Sequence, residues 1–161
     1  MPFAKYLITA AFTTVCTVSA FAQNVTVTDA WARATVQGQK ATGAFMKITA
    51  KDNAKLVGVS SPVAGVAEIH EMKMDKDVMR MNALPNGLDL PAGKAVELKP
   101  GGYHVMLMDL KAPVEEDSHV IVTLLFEDAA GVKTQQEVHA VAKKAPMGGA
   151  DKHKHGEHQN H

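Results

Sequence analysis

From Asn24 to Val141 the apolar and polar positions alternate in short runs, broken at close intervals by Gly, Pro, Asn and Asp. Alternation with a period of two marks strands that bury one face. Val25-Thr26-Val27-Thr28 alternates and leads into Trp31, the chain's one tryptophan, expected as a core anchor. Further strands are predicted at Thr42 to Thr49, Lys55 to Ser60, Ala67 to Met74 and Val78 to Leu84. Gly43 is expected to admit a bulge or a close backbone approach. Asp75-Lys76-Asp77 is a polar, turn-like link, so the strands flanking it read as a hairpin that brings His70 and Met81 close. Leu88 to Leu90 and Ala95 to Leu98 are short segments between the breakers Pro85-Asn86-Gly87, Pro91-Ala92-Gly93 and Pro100-Gly101-Gly102. A strand follows from Tyr103, then the strongest one, His119 to Glu127, then Val132 to Val141 after a loop at Asp128 to Gly131. No long amphipathic helix stands out. The spacing predicts a single all-β domain, a sandwich or barrel, over residues 23–142.

The two ends depart from this pattern. Residues 1–22 carry Lys5, an apolar stretch from Tyr6 to Val18 and the A-x-A site Ala20-Phe21-Ala22, which together predict a signal peptide cleaved after Ala22 and export to the periplasm. The apolar stretch is short for a membrane span, so no membrane insertion is expected. The one cysteine, Cys16, lies within this segment; Thr13-Thr14-Val15 lacks the small residue usual before a lipoprotein cysteine, so no lipid anchor is expected. Residues 143–161 are poor in apolar side chains and hold four of the eight histidines, which predicts a flexible His-rich tail.

Charge and catalytic motifs narrow the function mainly by exclusion. Lys plus Arg and Asp plus Glu number 17 each, so nothing points to nucleic acid or an anionic membrane. No Ser/His/Asp order, paired-carboxylate motif or glycine-rich phosphate loop suggests an enzyme. The candidate chemistry is histidine and methionine. Six of the nine methionines fall in Glu68–Met74, Val78–Met81 and Tyr103–Met108. On a strand His104 and Met106 share a face, as do His70, Met72 and Met74, with Glu71 and Lys73 opposite. Imidazole and thioether are soft donors that suit Cu(I), while methionine is also a flexible core filler; spacing alone leaves both readings open. Met72, Met74, Met79 and Met108 read as a hydrophobic rim, with Met72 a candidate reserve ligand. Glu68 and Glu71 are candidates to orient His70. His119 and His139 lack a spaced soft partner and read as structural or surface residues. A blue-copper electron carrier would need a cysteine thiolate, and the expected mature chain has none.

The spacing His70-x10-Met81-x22-His104-x-Met106 resembles the metal motif of the periplasmic copper chaperones called PCu(A)C. Asp29-Ala30-Trp31-Ala32-Arg33, Thr42-Gly43-Ala44-Phe45-Met46, Ala67-Glu68-Ile69-His70-Glu71-Met72, Leu90-Pro91-Ala92-Gly93 and Leu98 to Met108 are similar to that family's blocks, in order. The resemblance spans roughly residues 25–142. It implies a cupredoxin-like Greek-key β-sandwich and Cu(I) held by His70, Met81, His104 and Met106. It further implies a monomer delivering copper for assembly of the CuA centre of cytochrome c oxidase, with subunit II and/or a Sco-type copper protein as partner. Copper storage or resistance is the alternative role for the same site. In the tail, His153, His155, His158 and His161, with Met147 at its base, form a candidate Cu(II) site.

Overall fold

The computed structural model describes residues 24–144; the expected signal segment and residues 145–161 of the expected tail lie outside the described residues, while Lys143, expected to open the tail, closes the last strand. Ten strands follow one another: β1 (Val25–Arg33), β2 (Ala41–Ala50), β3 (Ala54–Ser60), β4 (Ala64–Asp75), β5 (Val78–Ala83), β6 (Leu88–Leu90), β7 (Ala95–Leu98), β8 (Tyr103–Leu110), β9 (His119–Asp128) and β10 (Lys133–Lys143). The all-β expectation holds strand by strand, with ends moved by a few residues.

Hydrogen bonding runs through one continuous ladder in the order β5-β4-β8-β7-β2-β1-β10-β9-β3-β6. β3 and β4 stand far apart in that order, yet only residues 61–63 join them. The ladder must therefore fold over on itself, and it does so around one core. β2 is the corner: Ala41–Ala44 pairs with β8, and Met46–Thr49 pairs with β7. The crossed neighbours β4–β8 and β1–β10 give the Greek-key character of a cupredoxin-like sandwich.

The core is built by alternation. Ala44, Met46, Ile48 and Ala50 of β2, Val105 and Leu107 of β8, and Val120, Val122, Leu124 and Phe126 of β9 all point into it. Each fully buried Leu, Ile or Phe stabilises the fold by roughly 1.5–3 kcal/mol. The intervening residues of β2, β4 and β8 face outward, and that outer face carries His70, Met72, Met74, His104, Met106 and Met108.

Trp31 is not the core anchor the sequence suggests. Val27 pairs with Ile48 but Trp31 pairs with Phe45, so β1 contains one extra residue. The irregularity falls between Thr28 and Trp31, where Asp29 takes φ 55°. One inserted residue reverses which face every later side chain occupies. Val25 and Val27 therefore turn toward the core and Trp31 turns outward, half-buried against Phe45. At Gly43 the expected close approach is made by a side chain: a Cβ there would lie 2.8 Å from Cζ of Phe45.

Candidate metal centre

Three adjacent strands, β8, β4 and the ladder-edge β5, present the predicted donors on one face. His70 of β4 is registered directly opposite His104 of β8, and Glu68 opposite Met106. The two imidazoles lie 5.7 Å apart, edge to face. Both are buried, at 9% and 5% exposure for His70 and His104, although their face of the sheet points away from the core. Met106 is half-buried.

Each imidazole has one nitrogen fixed and one left over. Glu68 Oε2 lies 2.7 Å from His70 Nε2, so Nε2–H donates to the carboxylate. That places the lone pair on Nδ1, which is buried and has no hydrogen-bond partner. His104 is held through the other nitrogen: Nδ1–H donates to the Gly102 carbonyl at 3.1 Å, leaving the lone pair on Nε2. A hydrogen bond to one nitrogen of a histidine sets which nitrogen is free to bind a metal. The chemistry of the donor set thus fits a metal ion. His104 also titrates below its ordinary 6.5, chiefly because burial disfavours the imidazolium; the Gly102 hydrogen bond opposes this, while His70 and Arg33 add to it. The shift favours the neutral imidazole, the form able to coordinate a metal.

Met81 takes a less direct position than a simple hairpin pairing suggests. Its partner in register is Met72, and His70 faces Ala83. Met81 sits diagonally to His70 on the same face and is 47% exposed. Met72 stands between them as a half-buried thioether on the same face. Glu68 orients His70 as anticipated. Glu71 does not: it lies on the opposite face beside Tyr103, lining a separate cleft of about 490 Å³. Met108 continues the β8 row, registered with Val66 and Ala41. His119 and His139 are exposed and far along the ladder, with His139 3.3 Å from Glu137. Met147, His153, His155, His158 and His161 lie outside the described residues. Among the described residues no three of His, Cys, Asp and Glu gather to hold a metal, so any centre here depends on thioethers.

The wall beside the histidines was not legible as such. Phe45 is 6.3 Å from the His104 ring and 4.5 Å from Trp31, and the Arg33 guanidinium lies 5.9 Å over Phe45. Arg33 Nε is buried without a partner. Only recognition of the bulge at Asp29 could have turned Trp31 and Arg33 onto this face.

A sequence-family profile described as "LpqE-like: Putative lipoprotein LpqE-like" matches residues 25–138. The Cu(I) form of DR1885 from Deinococcus radiodurans, solved in solution, is 32% identical with a TM-score of 0.54, over 78% of this chain and 83% of that one. The chain belongs to the PCuAC family. The apo PCuAC domain from PmoF1 superposes with a TM-score of 0.60 at 27% identity, over 76% of this PCuAC chain and 95% of that domain. A protein of Leifsonia xyli subsp. xyli named "Putative lipoprotein Lxx21020" is 37% identical over 109 residues, 68% of this chain. The chain spans 66% and 57% of the lengths of the two curated relatives it matches.

Proposed function

We propose that this PCuAC protein binds one Cu(I) through His70, Met81, His104 and Met106 and carries it in the periplasm to a copper-accepting protein. The acceptor belongs to cytochrome c oxidase assembly: the CuA-bearing subunit II, a Sco-type copper protein, or both in turn. The observation that supports this most is the registered pair His70–His104, each ring with one nitrogen engaged and one lone pair left free beside thioethers. The Cu(I) form of a 32%-identical relative points the same way. Two neutral imidazoles and two thioethers stabilise Cu(I) without the hold of thiolates, so the ion passes to a thiolate-bearing acceptor by ligand exchange. Met81, on the exposed edge strand, is the ligand placed to release first.

Export follows from residues 1–22, with cleavage after Ala22. The family description and the Leifsonia relative both carry the word lipoprotein. In this chain Cys16 is the one residue that a lipid could modify, and the intact mass of the exported protein distinguishes the two outcomes. The tail donors Met147, His153, His155, His158 and His161 supply a Cu(II) site that feeds the core.

Anaerobic titration with Cu(I), read by X-ray absorption on protein lacking residues 147–161, tests the central claim. One equivalent with nitrogen and sulfur neighbours is expected. A shell of nitrogen and oxygen alone would overturn the ligand set, and retention of Cu(I) against a thiolate-rich acceptor would overturn the carrier role.

A further inference from the structure

The hairpin β4–β5 carries more methionine than the centre above uses. Met74 is registered opposite Met79, and Met72 opposite Met81. All four occupy one face, since partners and second neighbours share a side of the sheet. Backbone bonding shows which kind of pair these are. Leu84 N–H donates to the Ile69 carbonyl, so Ile69 turns its polar groups toward β5. Met72 N–H donates instead to the Gly102 carbonyl, toward the β8 side. Met72 and Met81 therefore form a non-hydrogen-bonded pair, and so do Met74 and Met79 two residues on. In such pairs the Cα atoms approach to about 4.5 Å and the side chains come closer than in the alternate pairs. The four Cα atoms outline a rectangle of about 4.5 by 6.7 Å. Unbranched thioether side chains can converge over its middle.

Three of the four are unusually open for their type. Met74, Met79 and Met81 are 59%, 45% and 47% exposed, whereas the core methionine Met46 is 3% exposed. A rim that served only to pack would be covered, and among the described residues nothing covers this face of the hairpin. Its other face carries Lys73, Asp75 and Arg80, the last two in an ion pair at 3.1 Å. The cations thus lie on the side away from the sulfurs. The row continues inward without a break: Met74/Met79, Met72/Met81, then His70 with His104, then Met106.

We propose that Met72, Met74, Met79 and Met81 form a second, weaker soft-cation site that takes Cu(I), or its redox-inert analogue Ag(I), at the outer end of the His/Met row. It serves as a boarding point: Met81 is shared, so an ion bound among the thioethers reaches the histidines by exchanging one sulfur at a time. Neutral thioethers alone favour a soft monovalent cation and offer nothing to Zn(II) or Cu(II). The inference rests on the proposed Cu(I) centre only through this shared ligand.

Ag(I) titration of the complete protein labelled with [methyl-13C]methionine tests it. Two phases are expected. The first shifts Met106 and Met81; the second, saturating at higher Ag(I), shifts Met74 and Met79. Met74→Leu with Met79→Leu keeps the apolar volume at two exposed positions, so folding is preserved. That variant should lose the second phase, with Ag(I) affinity there falling about tenfold or more, and keep the first. His70→Ala with His104→Ala should lose the first phase and keep the second. A wild-type protein whose Met74 and Met79 methyls never respond overturns the proposal, as does a double-leucine variant that still shows two thioether phases. A second phase without a first would refute the His/Met centre and leave the thioether site standing.

Discussion

At His70 a single carboxylate decides which nitrogen is available. Glu68 takes Nε2–H at 2.7 Å and leaves Nδ1 buried and unpartnered. Glu68→Ala should leave the fold intact, because the Glu68 side chain is 45% exposed. It should weaken Cu(I) by about 10–100-fold, the usual loss when a residue orienting a metal ligand is removed. Competition against a Cu(I) chelator measures this, and an unchanged affinity would remove Glu68 from the site. His104 makes a prediction for the metal-free protein. Its folded pKa lies below the ordinary 6.5, principally through burial, so the unfolded chain accepts the proton more readily. The contribution to stability is complete above 6.5 and is lost as pH falls from 6.5 through the depressed folded value. Urea unfolding from pH 8 to 5 should show wild type losing more stability than His104→Gln; identical slopes would contradict it. The shared face of His104 and Met106 was legible from strand parity, while the reading of these residues as a metal centre came from the family resemblance. The role of Glu68 was a candidate only, and Met81's offset from His70 was hidden, because a hairpin's register depends on its turn.

That turn belongs to the scale of elements. β4 and β5 are joined by Lys76 and Asp77 alone, both with left-handed backbone, φ 47° and 66°. A two-residue loop with both residues at positive φ is the type I′ geometry that matches strand twist, and it favours Asn-Gly. Lys76 is poorly suited to it, since a side chain in this region costs energy that glycine avoids. The polar triplet Asp75-Lys76-Asp77 announced a turn without revealing its two-residue length, and that length puts Met72 rather than His70 opposite Met81. Lys76→Asn with Asp77→Gly should stabilise the hairpin by about 0.5–1 kcal/mol. Amide hydrogen exchange along Lys73–Arg80 should slow accordingly while exchange in β9 stays unchanged. Faster exchange at the hairpin would mean that the native pair is already suited to its conformation. Most strands were legible as elements because apolar and polar residues alternate along them; β5, exposed throughout, was legible as the second arm of a hairpin. The bulge at Asp29 was not, because Asp-Ala-Trp breaks no pattern that a reader could notice, and a single residue there sent Trp31 and Arg33 to the outer face.

For the whole molecule the question is how an end of the chain relates to its centre. Ala142 pairs with Ala32, Ala32 with Ala44, and Ala44 with Val105, which lies between His104 and Met106. Three strand spacings separate the last strand from the donor row, about 14 Å along the sheet. A flexible segment of ten residues has a typical end-to-end distance of about 17 Å, comparable to that span. The chain thus leaves β10 about three strand spacings from the donor row, and copper binding at the proposed tail site would act on the core at effective concentrations approaching the millimolar range. Nothing in the strand pattern foretold this, because it depends on β1 and β10 lying parallel and adjacent, a long-range pairing that local alternation does not encode. Imidazoles of His153, His155, His158 and His161 suit Cu(II), and they coordinate only when neutral. Cu(II) binding should therefore fade as pH falls through about 6.5, the ordinary histidine value. Deleting residues 147–161 should abolish tight Cu(II) binding and leave the His70/His104 centre with its Cu(I). It should also slow loading of that centre when Cu(II) is offered together with a reductant at limiting concentration, because capture is then no longer intramolecular. Stopped-flow loading of full-length and truncated protein makes the comparison. Equal Cu(II) affinity in the two would place the Cu(II) site in the sandwich, and equal loading rates would leave the tail without a part in delivery.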